Sequence, residues 1–271
     1  MRIAMLQLLV EYGQPGRNFE RAERMLRQAK AQGAELAVLP ECFDLGWANP
    51  DAEKLAQPIP GTHSGMVCAL AGEIGLAVCA GLTERDGDRI YNTAVLADSS
   101  GRIIGRHRKI NTLADVEPMY SVGSTLQVFE TALGRIGIAI CADNAPDSTV
   151  LGEALCRMGA DIILSPCSWA VEPDCRAAYY GRNWYDAYGR IAGLYGVPVI
   201  GVSNVGPVTA GVWKGWSCIG NSIAIFSDGV SGVTLPYGEQ AETLRVIDVE
   251  PGCGKLRGTA LAAEIARKKA E

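Results

Sequence analysis

The segment Gly134-Arg-Ile-Gly-Ile-Ala-Ile-Cys141-Ala-Asp-Asn144 decides how the rest of this chain is interpreted. Its apolar run, residues 136–140, alternates with small residues and predicts a short buried strand. The strand ends at a single thiol, Cys141, and the Ala-Asp-Asn-Ala-Pro-Asp that follows contains residue types that open turns. Ligands of α/β folds bind beyond the carboxyl ends of strands, so Cys141 is a candidate nucleophile.

A packing role is the alternative for Cys141, because free cysteines are among the most buried residue types. A thiol with the ordinary pKa of about 8.5 attacks well at neutral pH only beside a base or a cation. The choice between the two roles therefore depends on which side chains other strand ends bring to the thiol.

Two further predicted strands also end at ionisable side chains. Residues 36–39 form a short apolar strand that is closed by proline and followed by Glu41, and the hairpin of residues 90–97 and 102–108 leads into Lys109. Taken singly, Glu41 could be a solvated acid and Lys109 a basic hairpin edge. Together with Cys141 they provide a base, a cation and a nucleophile, a set that suffices for acyl transfer without histidine.

Composition is that of an ordinary soluble globular protein, with 48% apolar and 20% charged residues among 271. A net charge of -5 argues against a nucleic-acid partner. No apolar stretch approaches the roughly 18 residues of a membrane span, and residues 1–10 are too short for a signal peptide. No linker or repeat divides the chain, so we expect one domain, 1–271, with residues 255–271 as a helical C-terminal tail.

The cysteines and histidines indicate a reducing compartment and no metal. Nine cysteines at irregular spacing are typical of reduced thiols in the cytoplasm, rather than of a disulfide framework. The chain has no CxxC pair and only two histidines, His63 and His107, so we expect neither a zinc nor a haem site and no cofactor. His107 is interpreted as a strand residue, because Lys109 already takes the polar position at that strand end.

Strands and helices alternate along the chain, which indicates an α/β fold. Helices are predicted from Asn18 as the N-terminal cap, over residues 64–75 and 148–158, and over residues 183–195. Between Lys109 and the Cys141 strand lies an irregular segment, residues 111–123, with Glu117 and Tyr120. Loops of this kind commonly cover a site, and Tyr120 is a candidate substrate-binding residue.

Three short motifs follow one another in a recognisable order: Val38-Leu-Pro-Glu41, Arg108-Lys109 and Ile138-Ala-Ile-Cys141. Over nearly its full length the chain resembles the carbon–nitrogen hydrolase (nitrilase) superfamily. The resemblance implies a four-layer α-β-β-α sandwich that assembles into homodimers or larger homo-oligomers. It also implies hydrolysis of non-peptide C–N bonds in small amides, N-carbamoyl compounds or nitriles.

Roles for individual residues follow from that resemblance. It implies that Glu41 is the general base, Lys109 the electrophile and Cys141 the nucleophile, with the Ala142 N–H completing the oxyanion site. Glu117 fits the second glutamate of the family, which holds the lysine charged and positions the substrate. A plain surface position in the loop is the alternative for Glu117.

The residues after the nucleophile depart from the family pattern. Many amidase-like members have a bulky aromatic there and nitrilases have Trp-Glu, whereas this chain has Ala142-Asp143-Asn144. The motif therefore does not assign the substrate. Trp169, at the next strand end, is a candidate pocket wall, with a core position as its alternative. Trp213 and Trp216 could line the pocket or a subunit contact.

These observations favour a cofactor-free thiol hydrolase that cleaves a small amide or N-carbamoyl compound through a Cys141 thioester and releases ammonia or amine. One alternative is a nitrilase that converts a nitrile to a carboxylic acid with the same residues. Another is a catalytically idle binding protein of the same fold. A histidine-dependent cysteine protease is disfavoured, because its cysteine opens a helix beside a histidine and Cys141 has no such setting.

Overall fold

The computed structural model describes residues 1–175, 177–252, 257–259, 261–262, 265 and 267–268. Its strands are β1 (Arg2–Gln7), β2 (Leu36–Val38), β3 (Ala77–Asp86), β4 (Arg89–Ala97), β5 (Ile103–Arg108), β6 (Val128–Thr131), β7 (Gly134–Ile138), β8 (Ile162–Cys167), β9 (Ala170–Val171), β10 (Val199–Ser203), β11 (Val205–Pro207), β12 (Ser217–Ile219), β13 (Ile223–Ile225), β14 (Gly232–Thr234) and β15 (Thr243–Asp248). Its helices are α1 (Pro15–Ala31), α2 (Ala52–Leu55), α3 (Thr62–Ile74), α4 (Val150–Arg157) and α5 (Ala177–Tyr195), with 3₁₀ turns at Cys141–Asn144 and Pro146–Ser148.

The strands form two six-stranded sheets and a small three-stranded one. The first sheet has the order β15-β1-β2-β3-β4-β5, the second β14-β13-β10-β8-β7-β6, and the small one β11-β12-β9. In the first sheet, β2 is parallel to both β1 and β3. In the second, β8 is parallel to both β7 and β10. The remaining pairings are antiparallel, so the two large sheets are mixed and the small sheet is antiparallel throughout.

Alternating side chains of the strands divide the core into layers. In β1, Ile3 and Met5 pack into one apolar cluster with residues of the second sheet, while Ala4 and Leu6 pack into another with α1 and α3. This is the two-residue period of a strand whose two faces are both covered. Helix α5 packs on the far side of the second sheet. The result is the predicted four-layer α-β-β-α sandwich.

Helix α1 shows where local signals mislead. Its apolar residues are buried on one face, as the periodicity predicts, but it begins at Pro15 and not after Asn18. Proline favours the first helical turn because it has no N–H to leave unpaired. The predicted cap at Asn18 is therefore wrong: its amide lies in the first turns and donates to the carbonyl oxygens of Glu11 and Asp44.

Other predicted elements are present with shifted ends. Helix α5 begins at Ala177, six residues before the predicted start, and the sequence analysis missed the small sheet. The predicted tail helix, residues 255–271, falls mostly outside the described residues. Among the helices that the structure describes, none is long and apolar enough to cross a bilayer.

Candidate active site

Lys109 follows β5 and lies between two carboxylates. Its Nζ is 2.9 Å from Oε1 of Glu41, which follows β2, and 2.7 Å from Oε1 of Glu117 in the irregular segment. The side chains of Lys109, Glu41 and Glu117 are at most 1% exposed. Burial alone lowers the pKa of Lys109, but the two carboxylates outweigh it and raise that pKa well above its ordinary value. Lys109 is therefore held as a cation.

Glu117 is held by three hydrogen-bond donors. Besides Lys109, the Leu113 N–H donates to its Oε1 at 2.8 Å, and the Trp47 indole N–H donates to its Oε2 at 2.7 Å. The Trp47 ring also lies beneath the ammonium, with Lys109 Nζ 5.6 Å from the ring centroid. The surface alternative for Glu117 is wrong, because the folded loop buries this carboxylate against Lys109.

Glu41 is fixed from several sides and keeps one oxygen unused by the described residues. Its Oε1 accepts a hydrogen bond from the Asn92 amide at 2.6 Å, in addition to the one from Lys109, while no described residue donates to its Oε2. Burial raises its pKa, the charge of Glu117 raises it further, and Lys109 opposes both. The pKa of Glu41 is therefore closer to the value that suits a general base operating near neutral pH.

Close packing of backbone holds Glu41 in place. The Glu41 N–H donates to the carbonyl oxygen of Cys167, and the Gly81 N–H donates to that of Pro40. A Cβ atom at Gly81 would lie 2.5 Å from the Cα of Glu41, so only glycine fits this approach of β3 to the strand end. Glu41 is therefore held by rigid elements of the fold.

Cys141 has a left-handed backbone, with φ of 43°, at the start of a 3₁₀ turn. This region is sparsely populated by residues other than glycine, and such conformations concentrate at functional sites. A hydrogen bond with the Cys167 thiol, burial and the charge of Glu41 raise the Cys141 pKa, and the charge of Lys109 lowers it less than these raise it. The resting form is therefore the thiol, which needs a base before it can attack.

Asp143 connects the turn of Cys141 to the strand that carries Lys109. Its two carboxylate oxygens accept hydrogen bonds from the N–H groups of Ile110, Asn111 and Ile140, at 2.8–3.0 Å, and its Oδ2 is 2.8 Å from His107 Nε2. His107 lies on β5, as expected, with 2% of its side chain exposed. This buried pair fixes the nucleophile and the lysine relative to each other.

Several aromatic residues belong to the same buried cluster as Cys141. Trp169 is fully buried and stacks on Trp184, with ring centroids 5.0 Å apart, and both contact Tyr188. Tyr180 of α5 meets Trp169 edge to face and packs against the cluster that contains Cys141, and burial raises its pKa. Sequence reasoning missed Tyr180 because the predicted helix began too late.

The remaining candidates have mixed positions. Ala142 follows the nucleophile in the 3₁₀ turn, whose first N–H groups have no intrahelical acceptor. Tyr120 is buried, but its hydroxyl lies 3.6 Å from the Cys42 sulfur. Trp213 stacks on Trp216, with centroids 4.3 Å apart, and also packs against Trp47. These two tryptophans thus pack behind Trp47, the residue whose indole N–H donates to Glu117.

Among the residues that the structure describes, no three His, Cys, Asp or Glu side chains are grouped as metal ligands. Two supporting residues, Trp47 and Asn92, escaped the sequence analysis. Asn92 carries a detectable signal, since it is a polar residue inside an apolar strand run. Trp47 has no such sequence signal, because it lies in an irregular segment whose conformation depends on tertiary contacts.

Comparisons with known proteins identify the family of this chain. The sequence model of the carbon–nitrogen hydrolase family matches residues 2–256. A nitrilase of Pyrococcus abyssi is 32% identical over 174 residues, covering 62% of this chain and 65% of that protein. The omega-amidase NIT2 of Danio rerio is 31% identical over 176 residues, covering 61% and 62%. The matches thus span about half to two thirds of the curated relatives' length.

Solved structures share the fold across nearly the whole chain. Nit3 of Saccharomyces cerevisiae, a member of branch 10 of the nitrilase superfamily, has a TM-score of 0.78 at 21% identity, covering 93% of this chain and 90% of that one. An amidase from Nesterenkonia sp. has a TM-score of 0.77 at 21% identity, covering 99% and 96%. One structure of a variant of that amidase carries the acetamide moiety of fluoroacetamide on its active site cysteine.

Proposed function

The chain belongs to the carbon–nitrogen hydrolase family, and from this premise we propose that it hydrolyses a small amide or N-carbamoyl compound through a thioester on Cys141. The observation that carries the proposal is the buried ammonium of Lys109, within hydrogen-bonding distance of Glu41 and Glu117. It lies close enough to the Cys141 thiol for its charge to lower that pKa. These contacts support a site in which Glu41, Lys109 and Cys141 act together as base, cation and nucleophile.

The acylation half-reaction begins with proton transfer from the Cys141 thiol to Glu41. The thiolate attacks the carbonyl carbon, and the negative charge that develops on oxygen is stabilised by Lys109 and by the N–H of Ala142. Collapse of the tetrahedral intermediate breaks the C–N bond, and Glu41 returns the proton to the departing ammonia or amine. The acyl group remains on Cys141 as a thioester.

Hydrolysis of the thioester uses the same groups in the same order. Glu41 takes a proton from water, the hydroxide attacks the thioester carbon, and Lys109 again stabilises the oxyanion. The C–S bond breaks, Cys141 regains its proton and the acid leaves. Glu117 keeps Lys109 charged throughout, because the pKa of a buried amine falls when it lacks a neighbouring carboxylate.

A nitrilase activity is the second candidate. The relatives named as a nitrilase and as bifunctional nitrilase/nitrile hydratases favour it. With a nitrile, Cys141 would form a thioimidate, which water converts to a thioester with loss of ammonia. Both candidates release ammonia, so the substrate panel distinguishes them: amides and ureides support the first candidate, and turnover of nitriles to acids supports the second.

The test is ammonia release from a panel of small amides, ureides and nitriles, with Cys141→Ala as the key variant. We expect that variant to lose all activity. Cys156→Ala, which removes a buried thiol from α4, is the matched control and should retain it. Fluoroacetamide should modify Cys141 and leave Cys156 unmodified. Turnover that survives in Cys141→Ala would overturn the nucleophile assignment.

We propose Trp169 and Tyr120 as walls of the substrate pocket, following the sequence analysis. The stacking of Trp169 on Trp184 supports a rigid aromatic wall. Tyr120 has weaker support, because its hydroxyl faces Cys42. Trp169→Leu should raise KM for substrates with planar acyl groups more than it changes kcat, and Tyr120→Phe should do so less.

We propose that the protein forms homodimers or larger homo-oligomers through α4 and α5. Apolar side chains on these helices and at their ends are exposed, including Val150 at 66%, Met158 at 52% and Leu194 at 51%. Exposed apolar groups clustered on neighbouring helices are typical of interaction surfaces. Light scattering should give a mass above that of one chain, and a monomer at micromolar concentration would contradict the proposal.

A further inference from the structure

Cys141 has a second thiol beside it on the neighbouring strand. Strands β7 and β8 are parallel, and their register pairs Ile138 with Leu164. Cys141 follows the end of β7 by three residues, and Cys167, the last residue of β8, follows Leu164 by three. Both cysteines therefore lie at the same edge of the second sheet, at the ends of neighbouring parallel strands.

Contacts of the side chains agree with that register. Cys141 and Cys167 pack in the same buried apolar cluster, and neither thiol is in a disulfide. The neighbouring Cys167 side chain also raises the pKa of the Cys141 thiol. Cys167 is fully buried, and its sulfur lies 3.1 Å from the carbonyl oxygen of Ser165 and 3.5 Å from the hydroxyl of Tyr188. These contacts hold the Cys167 sulfur beside the nucleophile.

The acyl-transfer reaction does not use the Cys167 side chain. Glu41, Lys109 and Cys141 supply the proton transfers, the attack and the stabilisation of charge, and only the backbone carbonyl of Cys167 contacts Glu41. Adjacent strands lie about 4.7–4.9 Å apart. The strands that lead to the two cysteines are thus spaced within the Cα separation of about 4.4–6.8 Å that a disulfide needs.

We propose that Cys141 and Cys167 are a modification site for peroxides, at which the nucleophile is converted reversibly to a disulfide with its neighbour. The same base that prepares Cys141 for an amide prepares it for a peroxide, because both reactions need the thiolate. The disulfide removes the nucleophile and stops turnover. It also withdraws the sulfur from further, irreversible oxidation.

The chemistry takes place in two balanced steps. In the first, Glu41 takes the Cys141 proton, the thiolate attacks one oxygen of hydrogen peroxide, and the O–O bond breaks to give a sulfenic acid and, with that proton, water. In the second, the Cys167 sulfur attacks the sulfenic sulfur, forming the S–S bond and releasing a second water. Two thiols are oxidised and one peroxide is reduced; a dithiol reverses the change by exchange.

The experiment treats the full chain with hydrogen peroxide and measures activity and mass in the same samples. We expect activity to be lost and then restored by dithiothreitol. In the inactive sample, tryptic fragments 136–157 and 158–176 should be joined, with two hydrogens lost. Each fragment contains a second cysteine, so fragmentation of the joined pair, repeated with Cys156→Ala, assigns the bond to Cys141 and Cys167.

Cys167→Ala and Cys167→Ser provide the decisive comparison, each measured against its own untreated sample. Without the neighbouring thiol, Cys141 should gain two or three oxygen atoms and dithiothreitol should restore no activity. Cys156→Ala, the matched control, should recover as the wild type does. The proposal is overturned if the wild type gains these oxygens as fast as Cys167→Ala, or if Cys141 pairs with another cysteine. The mass readout stands even if no substrate is found.

Discussion

Replacing Glu117 with glutamine removes one negative charge and keeps the size and shape of the side chain. The three partners of this carboxylate, Lys109, Leu113 N–H and Trp47 N–H, are all donors. A carboxylate accepts from all of them with its two oxygens, whereas glutamine has one oxygen and an NH₂ that can only donate. In either orientation of the amide in Glu117→Gln, the NH₂ group therefore meets a buried donor and cannot accept its hydrogen bond.

The magnitude follows from the hydrogen bonds that are lost. A hydrogen bond to a charged group contributes about 1.5–3 kcal/mol, and a buried donor left without a partner costs about 1–3 kcal/mol. We expect the free energy of unfolding to fall by about 3–5 kcal/mol, in the range for breaking a buried ion pair. If about 3 kcal/mol of stabilisation is lost in the transition state and not in the substrate complex, kcat falls by about 160-fold.

The pH dependence of Glu117→Gln should shift in a direction that the electrostatics of the site predict. The charge of Glu117 raises the pKa of Glu41, and Glu41 acts as a base only when it is ionised. Removing that charge lowers the Glu41 pKa, so the acid limb of the kcat/KM profile should move to lower pH. The charge of Glu117 also raises the pKa of Lys109. If loss of the Lys109 proton sets the basic limb of the profile, that limb should also move to lower pH.

Glu84→Gln is the matched control for Glu117→Gln. The Glu84 side chain is 1% exposed and accepts hydrogen bonds from Arg106, Arg108 and Thr93, so its loss also breaks ion pairs of a buried carboxylate. Both variants should lower the urea midpoint, but only Glu117→Gln should shift the pH profile measured by ammonia release. An acid limb that stays in place or moves to higher pH would refute the electrostatic argument.

Three further substitutions test the frame of the site. Lys109→Met leaves Glu41 and Glu117 buried without a cation, and should abolish turnover and cost about 3–5 kcal/mol in urea unfolding at neutral pH; full stability would contradict this. Gly81→Ala sets a Cβ against the Glu41 backbone and should reduce kcat, whereas Gly65→Ala, with nothing within 4 Å, should not. Asp143→Asn should lower kcat more than it raises KM, and should slow alkylation of Cys141 by iodoacetamide.

The strand ends were predictable because burial and polarity change there within one or two residues. Glu41 and Cys141 each follow an apolar run, Lys109 follows the second strand of a hairpin, and any fold that gathers the ends of these strands brings them together. Glu117 has no such signal and entered only through the resemblance to a family. Its burial depends on how residues 111–123 fold over Lys109, a tertiary outcome that no local pattern encodes.

The errors have physical causes of the same kind. The predicted cap at Asn18 relied on side-chain preference, while Pro15 and the tertiary contact of Asn18 with Asp44 set the true helix start. Tyr180 was missed because the polar and aromatic turns of α5 hide its beginning. Trp47 and Asn92 act only through their partners, so their roles depend on contacts between segments distant in sequence.

The electrostatics of the site explain how a thiol with a raised pKa can serve as the nucleophile. Glu41, Glu117 and Lys109 leave one net negative charge in a buried space, so creating a thiolate by losing a proton to solvent would add a second. Transfer of the Cys141 proton to Glu41 adds no charge; it moves the negative charge from carboxylate to sulfur. Burial raises the pKa of both groups. It therefore opposes ionisation to solvent far more than it opposes this exchange.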